Sequence, residues 1–136
     1  MSRTITTDDG HPMSFQPGQR YLAADIHGVV GGQEQYYLST HNGIVVAAKL
    51  RRAMNPDAPE VVLVGQGPLI VANATIAAAQ DEPFPVFLAE DAKPGFVYID
   101  RFVGAGMTVD PAVLGHFSRR SGRDNLHAVC FLKRAR

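Results

Sequence analysis

The sequence predicts an α+β fold with a curved, largely antiparallel sheet and two main helices. The predicted strands outnumber the predicted helices and do not alternate regularly with them, as they would in a doubly wound parallel sheet. Hydrophobic residues make up 46% and charged residues 19% of the 136 residues, so the chain can form a substantial core. One domain is therefore expected over residues 18–136, preceded by a flexible N-terminal arm over residues 1–17 that is polar and aperiodic.

The first predicted helix spans residues 20–30, where the apolar positions fit one helical face. Gly31 and Gly32 end this helix, because glycine readily adopts the left-handed conformation found at helix C-termini. Residues 33–42 are polar and aromatic. They are expected to form a loop that includes a short strand at residues 36–39.

A strand, a tight turn and a helix are predicted in succession over residues 60–64, 65–68 and 69–80. Pro68 suits the first helical position, because its missing N–H would have no helical partner there. The helix is apolar almost all round and is therefore expected to be central. The Gly-Gln-Gly turn lacks both the third glycine of a dinucleotide fingerprint and the lysine of a P-loop, so a structural turn is favoured over a phosphate site.

Three further strands are predicted at residues 86–88, 95–109 and 125–134. Gly104 and Gly106 interrupt the longest of them and indicate a bulge or a sharp bend. Residues 113–120 are compatible with either a short helix or a loop.

The charges balance at 13 basic and 13 acidic residues, so net charge gives no argument for a nucleic-acid partner. Local clusters do exist: Lys49, Arg51 and Arg52 follow an apolar run, and Arg119, Arg120 and Arg123 lie near the end of the chain. They are either solvated surface or, if they share a face, a surface that contacts phosphate.

Metal, hydrolytic and membrane sites are not predicted. The 5 histidines have no metal-ligand spacing, and Cys130 is the single cysteine, so no metal or other cofactor is expected. No Gly-x-Ser-x-Gly elbow is present, which argues against an enzyme of that kind. No apolar run approaches the ~18 residues that a membrane span requires, and no signal core is visible, so a cytoplasmic protein is expected.

The most ligand-like stretch contains Gln33, Tyr36 and Tyr37. Amide side chains can hydrogen-bond the edge of a base, and tyrosines can stack on its face. Alternatively, one tyrosine points inward and the other faces solvent.

Several short motifs follow one another in an order that is informative about the fold. They are Asp25-Ile26-His27, Gly31-Gly32-Gln33, Ser39-Thr40, Gly65-Gln66-Gly67 and a helix that carries Asn73. In this order the chain resembles, over residues 17–134, the SRA-like (SET- and RING-associated) domains of the PUA-like superfamily that occur fused to HNH restriction nucleases.

The resemblance implies a curved β-barrel of PUA-like/SRA-like type that binds DNA and flips a modified base, such as 5-methylcytosine, into a pocket. The chain would be a stand-alone reader, with any nuclease a separate partner. The implied base-binding residues are Gln33, Tyr36, Tyr37, Ser39, Thr40 and Asp57. Gln33 would fill the vacated space in the duplex, Ser39 and Thr40 would line the pocket, and Asp57 would accept from the exocyclic amine of cytosine. Both basic clusters would contact the DNA backbone.

The sequence departs from that family where Leu63 and Val64 replace a pocket aromatic residue and a threonine. Tyr36 and Tyr37, which replace glycines, could restore stacking from the other side. Three alternatives remain open: a PUA-like RNA-binding module, a small amidohydrolase of modified nucleosides that uses Lys49, Thr40 and Glu60, and a partner-binding protein that has lost the pocket.

Overall fold

The computed structural model describes residues 15–35, 37–90 and 93–135. Within them the elements run β1 (Arg20–Tyr21), α1 (Ala23–Val30), β2 (Gln33–Gln35), β3 (Leu38–His41), β4 (Ile44–Arg51), β5 (Val61–Val64), α2 (Pro68–Ala79), β6 (Phe84–Ala89), β7 (Phe96–Thr108), α3 (Pro111–Ser121) and β8 (Ala128–Arg134). The predicted α+β class is confirmed. The segment at residues 113–120, which the sequence left open, belongs to a third helix.

The strands form a single curled, mixed sheet in the order β2-β3-β4-β6-β7-β8-β5, and β1 pairs separately with β7. β4 and β6 run parallel, whereas the other described pairs are antiparallel. The register shifts at Ser39/Thr40, at Val86/Phe87 and between Gly104 and Met107. Such irregularities bend a strand and increase its twist, which accounts for the half-barrel curvature.

Helix α2 lies against the sheet and contributes buried alanines to the main core. Its position requires a glycine at Gly104. A Cβ on that residue would lie 2.2 Å from the carbonyl oxygen of Ala77 and 2.3 Å from that of Ala78. The backbone N–H of Gly104 donates to the carbonyl of Gln80 at 2.8 Å. The predicted irregularity in this strand is therefore the point where the backbones of α2 and β7 come into direct contact.

The start of the first predicted helix is a strand instead. Arg20 and Tyr21 pair with Val97 and Phe96 of β7, and α1 begins only at Ala23. The burial of Tyr21 in an aromatic cluster, where its ring centroid lies 5.0 Å from that of Phe15, favours this pairing over another helical turn. Helical periodicity alone cannot detect such a tertiary pairing.

Residues 1–14 of the predicted arm lie outside the described residues. Phe15 packs edge-on against Phe87, with ring centroids 4.7 Å apart, and it joins a second core between α1 and the sheet. A third, smaller core lies beneath α3 and contains Leu63 and Val129. No helix of the described residues is long and apolar enough to cross a bilayer.

Candidate functional site

A cavity of about 340 Å³ opens where α1, β4, β7 and the segment after α3 meet, and this volume is in the range of small-molecule sites. Its lining combines side chains from six segments of the chain: Ala23, Tyr37, Lys49, Arg51, Met54, Asn55, Phe96 and Arg123.

The alternation of side chains along β4 places two cations in the cavity. Ala48 and Leu50 point into the main core, so Lys49 and Arg51 point to the opposite face of the strand. Lys49 is only 6% exposed, and this burial lowers the pKa of its ammonium group. The Arg51 guanidinium is exposed and lies 5.2 Å from the centroid of the Phe96 ring, a distance typical of a cation–π contact.

The Asn55 side chain lines the cavity and joins two segments of its wall. Its side-chain oxygen accepts from the backbone N–H of Leu63 at 2.8 Å, and its amide nitrogen makes a longer contact of 3.5 Å with the carbonyl of Arg51. Asn55 is 3% exposed. It therefore ties the end of β4 to β5 and fixes the turn between them, which carries Met54 into the lining.

The carbonyl oxygen of Leu63 accepts from two side chains of the lining. The Tyr37 hydroxyl donates to it at 3.3 Å and the Arg123 guanidinium at 3.4 Å. Burial raises the pKa of the Tyr37 phenol to about 12, although nearby Arg123 opposes the effect. The phenol is therefore neutral at physiological pH.

Arg123 reaches the cavity because of the way α3 ends. Gly122, at φ 73°, terminates the helix in the left-handed conformation and reverses the chain. The Arg123 guanidinium then donates to the carbonyl of Met54 at 3.1 Å. On the same side of the molecule, Nε of Arg120 donates to the Asp57 carboxylate at 2.6 Å. The two basic clusters of the sequence thus meet at the turn between β4 and β5.

The structure places the predicted base-binding residues in different environments. Tyr37 lines the cavity, whereas Tyr36 and the side chain of Gln33 lie outside the described part of the structure. Ser39 is buried opposite Ala47 within the sheet, and Thr40 lies beside the bulge in β3. Neither residue contributes to the cavity lining.

Asp57 also lies outside the cavity lining. The Arg120 guanidinium beside it holds the pKa of its carboxyl below the ordinary value. Its carboxylate oxygen is therefore an acceptor already engaged by a cation.

The predicted backbone-contacting residues divide into two sets. Lys49, Arg51 and Arg123 line the cavity, whereas Arg52 and Arg119 are exposed outside its lining. Arg52 makes a long contact of 3.5 Å with the carbonyl of Pro56. The cavity lining as described therefore contains three cationic side chains and no aspartate or glutamate.

Sequence reasoning missed four residues of the lining, which are Ala23, Met54, Asn55 and Phe96. Asn55 precedes Pro56 between β4 and β5, and no sequence motif marks it as part of a site. The one signal that could have drawn attention to Asn55 is its position between two strands, where a side-chain amide can satisfy exposed backbone groups. Among the described residues, no group of three or more His, Cys, Asp or Glu side chains is placed to hold a metal ion.

Comparison with solved structures identifies the class of fold. No family model matches the sequence, and no curated protein matches it. The fold is that of an SRA-like domain. It is similar to the SUVH5 SRA domain, whose crystal structure is of a complex with methylated CHH DNA, with a TM-score of 0.53, 15% identity and coverage of 89% of each chain. The SRA-like fold implied by the sequence is confirmed.

Proposed function

We propose that this protein binds DNA and recognises a modified base, such as 5-methylcytosine or a relative, by taking the base into the cavity between α1 and β4. The observation that carries the proposal is a cavity of about 340 Å³ with a cationic lining, on a fold shared with an SRA domain that was crystallised with methylated DNA. A pocket that opens on the protein surface allows a protein to inspect a base that the duplex would otherwise hide.

Extrusion of a base costs a few kcal/mol of stacking and pairing, and contacts in the pocket must offset this cost. Phe96 and Tyr37 offer aromatic surface, and the Arg51 guanidinium extends the surface of Phe96. Stacking of a base on an aromatic side chain contributes about 1–3 kcal/mol. These groups take the place of the family's pocket aromatic residue, whose position Leu63 holds with its side chain buried beneath α3.

The surface around the cavity supports contact with the phosphate backbone. Arg52 and Arg119 are exposed beside the turn and on α3, where phosphates on either side of an extruded nucleotide would pass. Such contacts are independent of sequence and weaken as salt concentration rises. In this proposal Gln33, on the hairpin of β2 and β3, fills the space in the duplex that the base leaves.

Binding of the whole chain to a set of duplexes tests the proposal. The duplexes share one sequence and carry cytosine, 5-methylcytosine or 5-hydroxymethylcytosine at one central position, and a hairpin RNA is the fourth ligand. A modified duplex is expected to bind more tightly than the unmodified one. Equal affinity for all three duplexes would contradict the proposal, and tighter binding of the RNA would favour an RNA-binding module.

A pair of neighbouring alanines provides a matched control. Ala23 lines the cavity, whereas Ala24 is exposed on the same helix. Ala23→Trp is expected to fill the cavity and abolish preference for the modified base, while salt-sensitive binding to any duplex persists. Ala24→Trp is expected to leave the preference for the modified base and the general affinity for duplexes unchanged. Circular dichroism verifies that each variant is folded.

The amidohydrolase alternative receives no support from the cavity. Of its three residues only Lys49 contributes to the lining, whereas Thr40 lies beside the β3 bulge and Glu60 is exposed before β5. A separate nuclease partner and a cytoplasmic location are further parts of the proposal, to be tested by co-purification and by fractionation.

A further inference from the structure

One nitrogen of the Arg123 side chain joins two segments of the cavity wall. Nη1 donates to the carbonyl of Met54, in the turn after β4, at 3.1 Å and to the carbonyl of Leu63, in β5, at 3.4 Å. A guanidinium Nη atom carries two N–H groups, so each carbonyl can take one of them. Arg123 itself directly follows Gly122, at which α3 ends. The end of α3, the turn after β4 and the strand β5 therefore meet at this nitrogen.

Side chains of the cavity lining take the place of a neighbouring strand at Leu63. β5 lies at one end of the sheet, where β8 is its one partner among the described strands. The backbone N–H of Leu63 donates to the Asn55 side chain at 2.8 Å, and its carbonyl accepts from the Tyr37 hydroxyl and from Arg123. All three side chains line the cavity. The shape of the lining therefore depends on these hydrogen bonds to one strand residue.

Arg123 is bonded to the backbone that carries two apolar surfaces of the cavity. Met54 lines the cavity and is 48% exposed, and its carbonyl is the acceptor of the shorter Arg123 bond. The Tyr37 hydroxyl shares the other acceptor, the carbonyl of Leu63. A binding site needs its contacting groups held to within about 0.5 Å. Loss of the Arg123 guanidinium would leave the turn at Met54 less firmly joined to β5 and would disturb both surfaces.

The surroundings of Arg123 differ from those of Arg119, although both are basic residues at the end of α3. Arg119 is exposed on the last helical turn. Arg123 is half-buried, and its Nη2 lies 3.6 Å from the position that a Cβ on Gly65 would occupy, so the guanidinium packs beside the turn that leads into α2. Nη1 of Arg123 could bind a phosphate only by giving up its bonds to the two carbonyls. Arg119 is therefore the better placed of the two for contact with phosphate.

We propose that Arg123 is a positioning residue that sets the preference of the cavity for a modified base. It acts by joining the turn at Met54 to Leu63 of β5, which keeps the Met54 and Tyr37 side chains in place against the base. It does not act as a contact to phosphate. This inference rests on the proposed function, because the preference concerned is that for a base bound in the same cavity.

Arg123→Gln and Arg119→Gln form a matched pair, because each removes one positive charge at the end of α3. Fluorescence anisotropy with the whole chain measures the affinity for duplexes that carry cytosine, 5-methylcytosine or 5-hydroxymethylcytosine at one position, at several salt concentrations. Arg123→Gln is expected to reduce the ratio of modified to unmodified affinity to near unity, with the salt dependence unchanged. Arg119→Gln is expected to keep the ratio and to lower the logarithmic salt slope by about 0.9, the value for one phosphate contact.

Two further variants separate the bridge from its charge and from general stability. Arg123→Lys keeps the charge, but the lysine side chain is one atom shorter and its nitrogen stops short of the position of Nη1. It is expected to lose the ratio as Arg123→Gln does. Gly104→Ala disturbs the contact between α2 and β7, outside the cavity lining, and is expected to keep the ratio. Melting curves verify that each variant is folded at the temperature of the assay.

The outcomes distinguish a failure of this inference from a failure of the proposed function. If the wild type binds all three duplexes equally, the proposed function is wrong, and the role of Arg123 is wrong with it. If the wild type prefers a modified duplex, the role of Arg123 alone is overturned when Arg123→Gln keeps that ratio or lowers the salt slope by about 0.9. It is also overturned when Arg123→Lys keeps the ratio, because charge would then suffice. Loss of the ratio in Arg119→Gln or Gly104→Ala would assign it to overall charge or to stability, and would overturn that role as well.

Discussion

The side-chain amide of Gln80 pairs with both backbone polar groups of Val45. Its oxygen accepts from the Val45 N–H at 2.8 Å, and its nitrogen donates to the Val45 carbonyl at 2.8 Å. Gln80 thus acts as a strand neighbour for β4 just before the pairing with β6 begins at Ala48 and Val86. Because Gln80 also caps α2, it fixes the helix to the sheet.

Gln80→Leu is expected to destabilise the protein by about 2–4 kcal/mol, because it leaves a buried donor and a buried acceptor of Val45 without partners. Urea unfolding measures the change. Gln66→Leu is the control, since Gln66 is exposed and, within the part of the chain that the structure describes, its side chain donates to the carbonyl of Asn125 alone, at 3.2 Å. It is expected to change stability by less than about 0.5 kcal/mol. If the two variants lost a similar free energy of unfolding, the loss could not be assigned to the hydrogen bonds between Gln80 and Val45.

Gly104→Ala is expected to destabilise the fold by about 1–3 kcal/mol or more, since the new methyl group would overlap the Ala77 and Ala78 carbonyls and push α2 away from β7. Thermal melting checks this. Gly28→Ala is the matched substitution, because a Cβ there meets no atom within 4 Å and alanine favours the helix. That variant is expected to melt at the wild-type temperature or above it. A Gly104 variant of wild-type stability would contradict the close approach.

The raised pKa of the Tyr37 phenol predicts that the protein becomes less stable at alkaline pH. The phenol ionises near 10.0 in the unfolded chain and near 12 in the folded one, so the folded state retains a proton that the unfolded state has lost between these values. Its contribution is complete below pH 10 and is lost as the pH rises toward 12, by at most about 1.4 kcal/mol per pH unit. Tyr37→Phe is expected to be less stable below pH 10 and to fall less steeply above it. The free energy of unfolding is measured with urea at each pH. If it fell with pH equally steeply in the wild type and in Tyr37→Phe, the prediction would be refuted.

Asp57→Asn is expected to leave base preference unchanged, because the Asp57 carboxylate is paired with Arg120 outside the cavity lining. The substitution frees the Arg120 guanidinium for phosphate, so all duplexes are expected to bind more tightly, with a steeper dependence on salt. Titrations at several salt concentrations provide the measurement. Selective loss of the 5-methylcytosine duplex would instead show that Asp57 reads the cytosine amine.

Local signals made part of the fold predictable. The turn from β5 into α2 follows from Pro68 and from an apolar helix, both visible within a short window. The sequence does not decide between helix and loop for residues 113–120, where Gly115 has a low helix propensity. In the structure none of the residues of α3 is fully buried. The strand at Arg20 and Tyr21 was predicted as helix, since its partner in β7 is far away in the sequence.

The site was predictable in its chemistry and not in its geometry. Tyr37 was singled out for stacking, and Lys49, Arg51 and Arg123 for negative charge; all four line the cavity. That Arg123 would reach the end of β4 depends on where α3 packs, which no local pattern encodes. Asn55 was overlooked because its role, a bond to the Leu63 backbone, appears only when β5 has paired.

The strand order also constrains how the chain acquires its structure during synthesis. β5 lies at one end of the sheet, where β8 is its one partner among the described strands. The parallel partner of β4 is β6, which follows α2 in the chain. Pairings between distant segments are slow to form. A nascent chain that has emerged as far as α2 therefore holds β5 without a strand partner. The lining of the cavity, which depends on the carbonyl of Leu63 in β5, is then assembled late, after the ribosome has delivered β8.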